Sequence, residues 1–203
     1  MSLEIWIALA AANFIASLVP GQNAALIGSS TARSGLPGGS FAMAGILAAE
    51  LIWSVAALVI ALGARELSPT LWTALQIGSG IVLLALGLHT LRAAPVDAID
   101  VGRAPRRARV AAHGLWIGLA NPMALVFFLS LFPAFVPVNA TAPDLGMLVF
   151  YASAVVASSA AGLVPYVIAS NALAKGGLAV PLQISCSGML VLLGGLVLLR
   201  LTL

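Results

Sequence analysis

Long apolar runs, parted by short polar or Pro/Gly-rich breaks, follow one another along the whole chain. Each run is close to the roughly 20 residues a helix needs to cross the hydrocarbon core of a bilayer. The breaks delimit six predicted helices, at 3–27, 38–63, 67–92, 113–136, 145–172 and 178–200. Connections are short except for residues 93–112, APVDAIDVGRAPRRARVAAH, which part a first three-helix half (1–92) from a second (113–203). The pattern predicts an all-α polytopic membrane protein, a single transmembrane domain over 1–203. An odd number of helices per half would set the halves in opposite orientations, which admits an inverted repeat of the kind many secondary transporters use.

Composition sharpens this picture. Of 203 residues, 62% are hydrophobic and only 7% charged, with a mean hydropathy of +1.13. Soluble domains carry roughly 25% charged residues, so no water-facing surface can be assembled from this chain. The N-terminal run lacks a positive leader and carries Glu4, which favours a retained first span over a cleavable signal. The single cysteine, Cys186, excludes an internal disulfide and reads as a small core residue.

Charge sets the expected orientation. Arg33, Arg92, Arg103, Arg106, Arg107, Arg109 and Lys175 fall on one side of the six-helix scheme, and Arg65 and Arg200 on the other. The positive-inside rule makes the first side cytoplasmic, with both termini periplasmic at a bacterial inner membrane. The cluster at 103–109 then serves as a topology signal on a solvated loop, and the net charge of +3 implies no nucleic-acid partner.

Three polar features lie inside the apolar runs. VPGQNAALIGSS, Val19–Ser30, puts Pro20, Gly21, Gln22 and Asn23 into the first helix. Proline removes a backbone donor and glycine weakens a helix, so the helix is predicted to break there. The fourth helix, in GLWIGLANPMALVFF, carries Asn121 and Pro122. Asparagine is a good N-cap and proline suits the first helical position, so a new half-helix is predicted to start at this point. Asn23 plays a similar part after Pro20. In hydrocarbon, a broken backbone is tolerated only where protein or a water-filled cavity satisfies the freed groups.

The third feature is Glu50, midway along the second helix. An acid at the bilayer centre costs roughly 2.5–3.5 kcal/mol on insertion scales, and such residues usually face the bundle interior on ion or substrate paths. Trp53 shares its helix face, either as a core residue or as a cavity wall that meets a cation through its ring. Pro165 in the fifth helix is expected at a similar depth. Half-helix N-termini suit a carboxylate and Glu50 suits an ammonium group or a proton, so the layer would complement an amino-acid zwitterion. His89 and His113 flank the linker as interface residues. No metal-binding spacing is present, and neither a metal nor a cofactor is expected.

The stretches PGQN, ARSGLPGG, GILAAELIW, GSGIVLLALGLHTLR and ANPMALVFFLSLFPAFV, in this order over residues 19–137, resemble the LysE/RhtB family of amino-acid exporters. The resemblance implies a small inner-membrane exporter of amino acids or their derivatives, driven by proton antiport. It also implies roles for Pro20, Gly21, Asn23, the acid at position 50, Asn121 and Pro122. Gln22 stands where the family usually has a second proline, Glu50 where aspartate is usual, and Met123 where lysine is common. Other readings are a cation or metal efflux protein on a related scaffold, an intramembrane enzyme, and an assembly subunit without cargo. Few soft or imidazole ligands argue against the first of these, and no Lys or His lies mid-span to activate Ser158, Ser159 or Ser185 for the second. Gly35–Gly39 and Gly114–Gly118 fit small-residue packing within the bundle or in a homodimer. The expected partners are the substrate, protons and the lipid bilayer.

Overall fold

The computed structural model describes residues 2–92, 107–136, 143–169 and 179–200, and every regular element among them is a helix. These are α1 (Leu3–Ser17), α2 (Gln22–Leu67), α3 (Pro69–Arg92), α4 (Arg107–Ala120), α5 (Pro122–Phe135), α6 (Leu145–Ile168) and α7 (Ala179–Arg200). The linker at 93–106, Lys175 and the expected helical residues 170–172 lie outside the described residues.

Local chemistry starts and stops these helices. The Ser2 hydroxyl accepts from Ile5 N at the head of α1, and the Asp144 carboxylate accepts from Met147 N at 2.6 Å at the head of α6. Such caps satisfy first-turn N–H groups that have no intrahelical partner. Pro69 opens α3 at the position where its missing N–H costs nothing.

As a straight rod, the 46 residues of α2 would run about 69 Å, more than twice the thickness of the hydrocarbon core. It is not straight. Gly35 interrupts it with φ 66°, two residues before Pro37. A Cβ added at Gly38 would meet the Ser30 carbonyl, and one added at Gly39 would meet the Thr31 hydroxyl. Along a continuous helix residues eight apart would be separated by about 12 Å, so the chain turns sharply and forms two limbs, 22–34 and 36–67. Gly35→Ala should therefore destabilise the protein by about 1–2 kcal/mol, the cost of a Cβ in the left-handed region, read as a lowered midpoint of thermal unfolding in detergent.

Three helices are long and apolar enough to cross a membrane singly: Gln22–Leu67, Pro69–His89 and Leu145–Ile168. Residues of α4 and α5 do so as a pair bent by 65°. The 15 residues of α1 reach only about 22 Å, and would need the limb 22–34 beyond the break to complete a pass. Exposed Leu192, Leu196 and Leu199 form an apolar stripe on α7, a surface suited to lipid and costly in water. The molecule is a multi-pass membrane protein.

The passes pack in a regular scheme. The second limb of α2 lies on α4, α3 lies on α7, α6 touches both α1 and α2, α3 touches α5, and α1 touches α7. If α1 with 22–34 is counted as the first pass and α4 with α5 as the fourth, exchanging the first three for the last three pairs α2–α4 with α1–α6 and α3–α5 with α1–α7, whereas the contact of α2 with α3 has no counterpart among the described residues. Glycines allow the closest approaches: Gly45 faces the Ala111 carbonyl and Leu115 N, Gly114 faces the Ala42 carbonyl, and Gly194 faces Leu84 N and the Gly80 carbonyl.

Pro165 lies inside a continuous helix. The helix α6 continues through it to Ile168. The proline lies in the last turn, where only one intrahelical bond is lost, and its carbonyl accepts from Ala169 N.

Candidate functional site

Both predicted breaks are present. Residues 18–21 are non-helical between α1 and α2, and Asn121 stands alone between α4 and α5. At the first break Leu18 N donates to the Phe14 carbonyl and Val19 N to the Ala16 carbonyl. Gly21, extended, is the N-cap of α2 and supplies no side-chain bond to the first turn. Asn23 thus differs from its expected capping part: it is the second residue of the helix, and its Nδ2 donates to Glu50 Oε1 at 3.3 Å. At the second break Ala124 N donates to the Asn121 carbonyl, and the half-helix begins at Pro122 as expected.

A cavity of about 190 Å³ lies between the breaks. It is smaller than the roughly 300–1,000 Å³ sites that bury drug-sized ligands, which suits a ligand of amino-acid size. Its polar side is lined by Asn13, Ser17, Gln22, Asn23, Glu50 and Asn121, and its apolar side by Ala16, Val19, Ala124, Phe127, Phe128 and Leu190. Three buried polar atoms of these residues have no hydrogen-bond partner: Gln22 Nε2, Asn23 Oδ1 and Glu50 Oε2. Buried polar groups are nearly always paired, so three orphans on adjoining side chains around one cavity mark a place that a ligand can complete.

Of the residues singled out from sequence, Gly21, Gln22, Asn23, Glu50 and Asn121 line the cavity together. Pro20 shapes the first break without being part of the lining. The Pro122 side chain lies outside the described residues. Trp53 is not in the lining either: its indole packs against the core and Nε1 donates to the Gly118 carbonyl at 3.1 Å. Of its two sequence readings, the core residue is the one the geometry favours.

One polar group was not anticipated. Asn13, 2% exposed, donates to the hydroxyls of Ser158 and Ser159 at 2.9 and 2.8 Å. Ser17 donates to the Asn13 carbonyl and contacts Ser159 Oγ, and Ser159 stands beside the Glu50 carboxyl. The two serines therefore tie α6 to α1 behind Glu50. A lone amide within AAANFIAS was the available sequence signal.

From the apolar wall a column of rings leads away along α5. Phe127 meets Phe128 edge-on with centroids 5.4 Å apart, Phe128 stacks on Phe132 at 5.8 Å, and Phe132 meets Tyr151 edge-on at 5.4 Å. Tyr151 Oη closes the column on the Phe135 carbonyl at 2.9 Å. It ends where α5 stops and α6 begins.

A family model described as LysE type translocator matches residues 14–200. Leucine efflux proteins of Salmonella choleraesuis (strain SC-B67) and Salmonella typhimurium (strain LT2) are each 29% identical to the chain over 156 residues, covering 73% of this chain and 69% of theirs. No solved structure matches it.

Proposed function

The chain belongs to the LysE type translocator family, and is thus an amino-acid exporter rather than an enzyme; we propose that it exports amino acids with apolar side chains in exchange for protons. The observation that carries this reading is the set of orphaned polar atoms facing an apolar wall. Glu50 Oε2 and Asn23 Oδ1 offer two acceptors to an ammonium group. Gln22 Nε2 offers a donor to a carboxylate, aided by the positive end of α2, whose first turn has no side-chain cap. Phe127, Phe128 and Leu190 would receive the side chain. The leucine efflux proteins among the relatives support the same class.

In this reading the substrate enters from the cytoplasm, in an inner membrane with both termini periplasmic. The ammonium displaces a proton from Glu50, and a proton arriving from the periplasmic side displaces the ammonium in turn. One carboxyl cannot hold both, and that exclusion couples the two fluxes. Gln22 supplies a donor where the wider family usually shows a proline, so the carboxylate contact at this position is a property of this chain.

The test is efflux from cells loaded separately with leucine, isoleucine, lysine and glutamate. Leucine and isoleucine should leave faster than from control cells, lysine and glutamate should not, and a protonophore should stop the difference. Efflux of lysine at the leucine rate would refute the substrate class, and efflux indifferent to the protonophore would refute the coupling. Gln22→Leu should raise the half-saturating leucine concentration about tenfold, as expected for one lost hydrogen bond to a charged group.

A further inference from the structure

The carbonyl groups at the ends of α1 and α4 raise a separate question. The last four carbonyls of a helix have no intrahelical partner, and inside a membrane they must find one. At the first break the Leu18 carbonyl accepts from Tyr166 Oη at 2.6 Å. At the second, the Gly118 carbonyl accepts from Trp53 Nε1 at 3.1 Å and, at the longer 3.4 Å, from Asn121 N. Neither donor lines the cavity.

We infer that Tyr166 and Trp53 are a matched pair of positioning residues, each clamping the end of one broken helix from a pass in the other half of the chain. Their surroundings correspond, with the glycine on the clamping helix in one case and on the clamped helix in the other. Four residues before Tyr166, Gly162 brings α6 against Ser17 and the Phe14 carbonyl of α1. Four residues before Trp53, Ala49 of α2 meets Gly118 of α4. In both cases a close contact between small residues sets the distance between helices, and one turn later a polar side chain holds the carbonyl. Exchanging the halves turns the fifth-pass clamp on the first pass into the second-pass clamp on the fourth.

The clamps act through the backbone. Leu18 directly precedes Val19, which lines the cavity, and the short stretch to Gln22 and Asn23 hangs from it. Gly118 lies three residues before Asn121 on the opposite wall. Fixing both carbonyls fixes the separation of the two polar walls, and with it the fit of a zwitterion between them. This role rests on the cavity being the transport site, as proposed above.

The test uses Tyr166→Phe and Trp53→Phe in the purified full chain, each of which removes a donor and keeps a ring. Amide hydrogen exchange should quicken over residues 18–23 in the first variant and over 119–124 in the second, and nowhere else. In proteoliposomes each variant should raise the half-saturating leucine concentration about fivefold, the equilibrium worth of one net hydrogen bond, with the maximum rate unchanged. Exchange unaltered, or quickened throughout the protein, would overturn the clamps. Local quickening with unchanged half-saturation would overturn their service to the site. If the wild type carries no leucine, the substrate reading fails by itself, and the exchange pattern still decides whether the clamps exist.

Discussion

Replacing Glu50 by glutamine should lower leucine efflux about a hundredfold while the protein stays in the membrane at wild-type abundance. Glutamine is nearly isosteric and its amide oxygen can still accept from Asn23 Nδ2, the bond that Glu50 Oε1 now accepts at 3.3 Å. Burial of a neutral amide also costs less than burial of a carboxylate, so folding should not suffer. Under the proposed exchange two things would be lost: the negative partner of the ammonium and the exchangeable proton. A hydrogen bond to a charged group contributes about 1.5–3 kcal/mol, and its upper end corresponds to the hundredfold. Glu50→Asp keeps the charge but draws it back by about one methylene, and should retain more activity than Glu50→Gln. Efflux by the glutamine variant within a few-fold of wild type, at abundance matched by immunoblot, would remove Glu50 from the mechanism.

Gly45→Ala should lower the thermal unfolding midpoint, against what helix propensity alone predicts. Alanine is favoured over glycine in a helix interior by about 1 kcal/mol. At Gly45, however, the new methyl group would meet the Ala111 carbonyl oxygen and Leu115 N of α4, which are backbone atoms and cannot swing aside. Overpacking of this kind costs about 1–3 kcal/mol, and α2 would have to move off α4. Gly63, on the same helix, has no atom within 4 Å of an added Cβ. Gly63→Ala should therefore hold or raise the midpoint. The pair of variants separates packing from propensity, and equal shifts in both would refute the close approach of α2 and α4.

The sequence disclosed most where the cause is local. Pro20-Gly21 and Asn121-Pro122 break helices through their own backbone chemistry, and both breaks lie where their residues place them. Glu50 was conspicuous because a charge in an apolar run is costly wherever it points. Gly35, by contrast, was read only as part of a small-residue packing pattern; its positive φ shows that it turns the chain. Trp53 follows Glu50 by three residues on one helix, but periodicity cannot say that its N–H meets the Gly118 carbonyl rather than a ligand. The partnership of Asn13 with Ser158 and Ser159 joins residues more than 140 positions apart, a distance over which no pattern within one helix carries information. Both hydroxyls accept from Asn13 Nδ2, and that of Ser158 also donates to the Ala154 carbonyl.

The ring column between the cavity and the far end of α5 bears on energy conservation in the cell. A protein that trades protons for cargo must not let protons through when no cargo moves. Proton flow along a pore needs an unbroken file of hydrogen-bonding groups, and Phe127, Phe128 and Phe132 offer none. The Tyr151 hydroxyl at the column's end is engaged by the Phe135 carbonyl. Under the proton exchange proposed above, these rings in contact would insulate Glu50 from that end, and the protein's abundance in the membrane could rise without discharging the gradient.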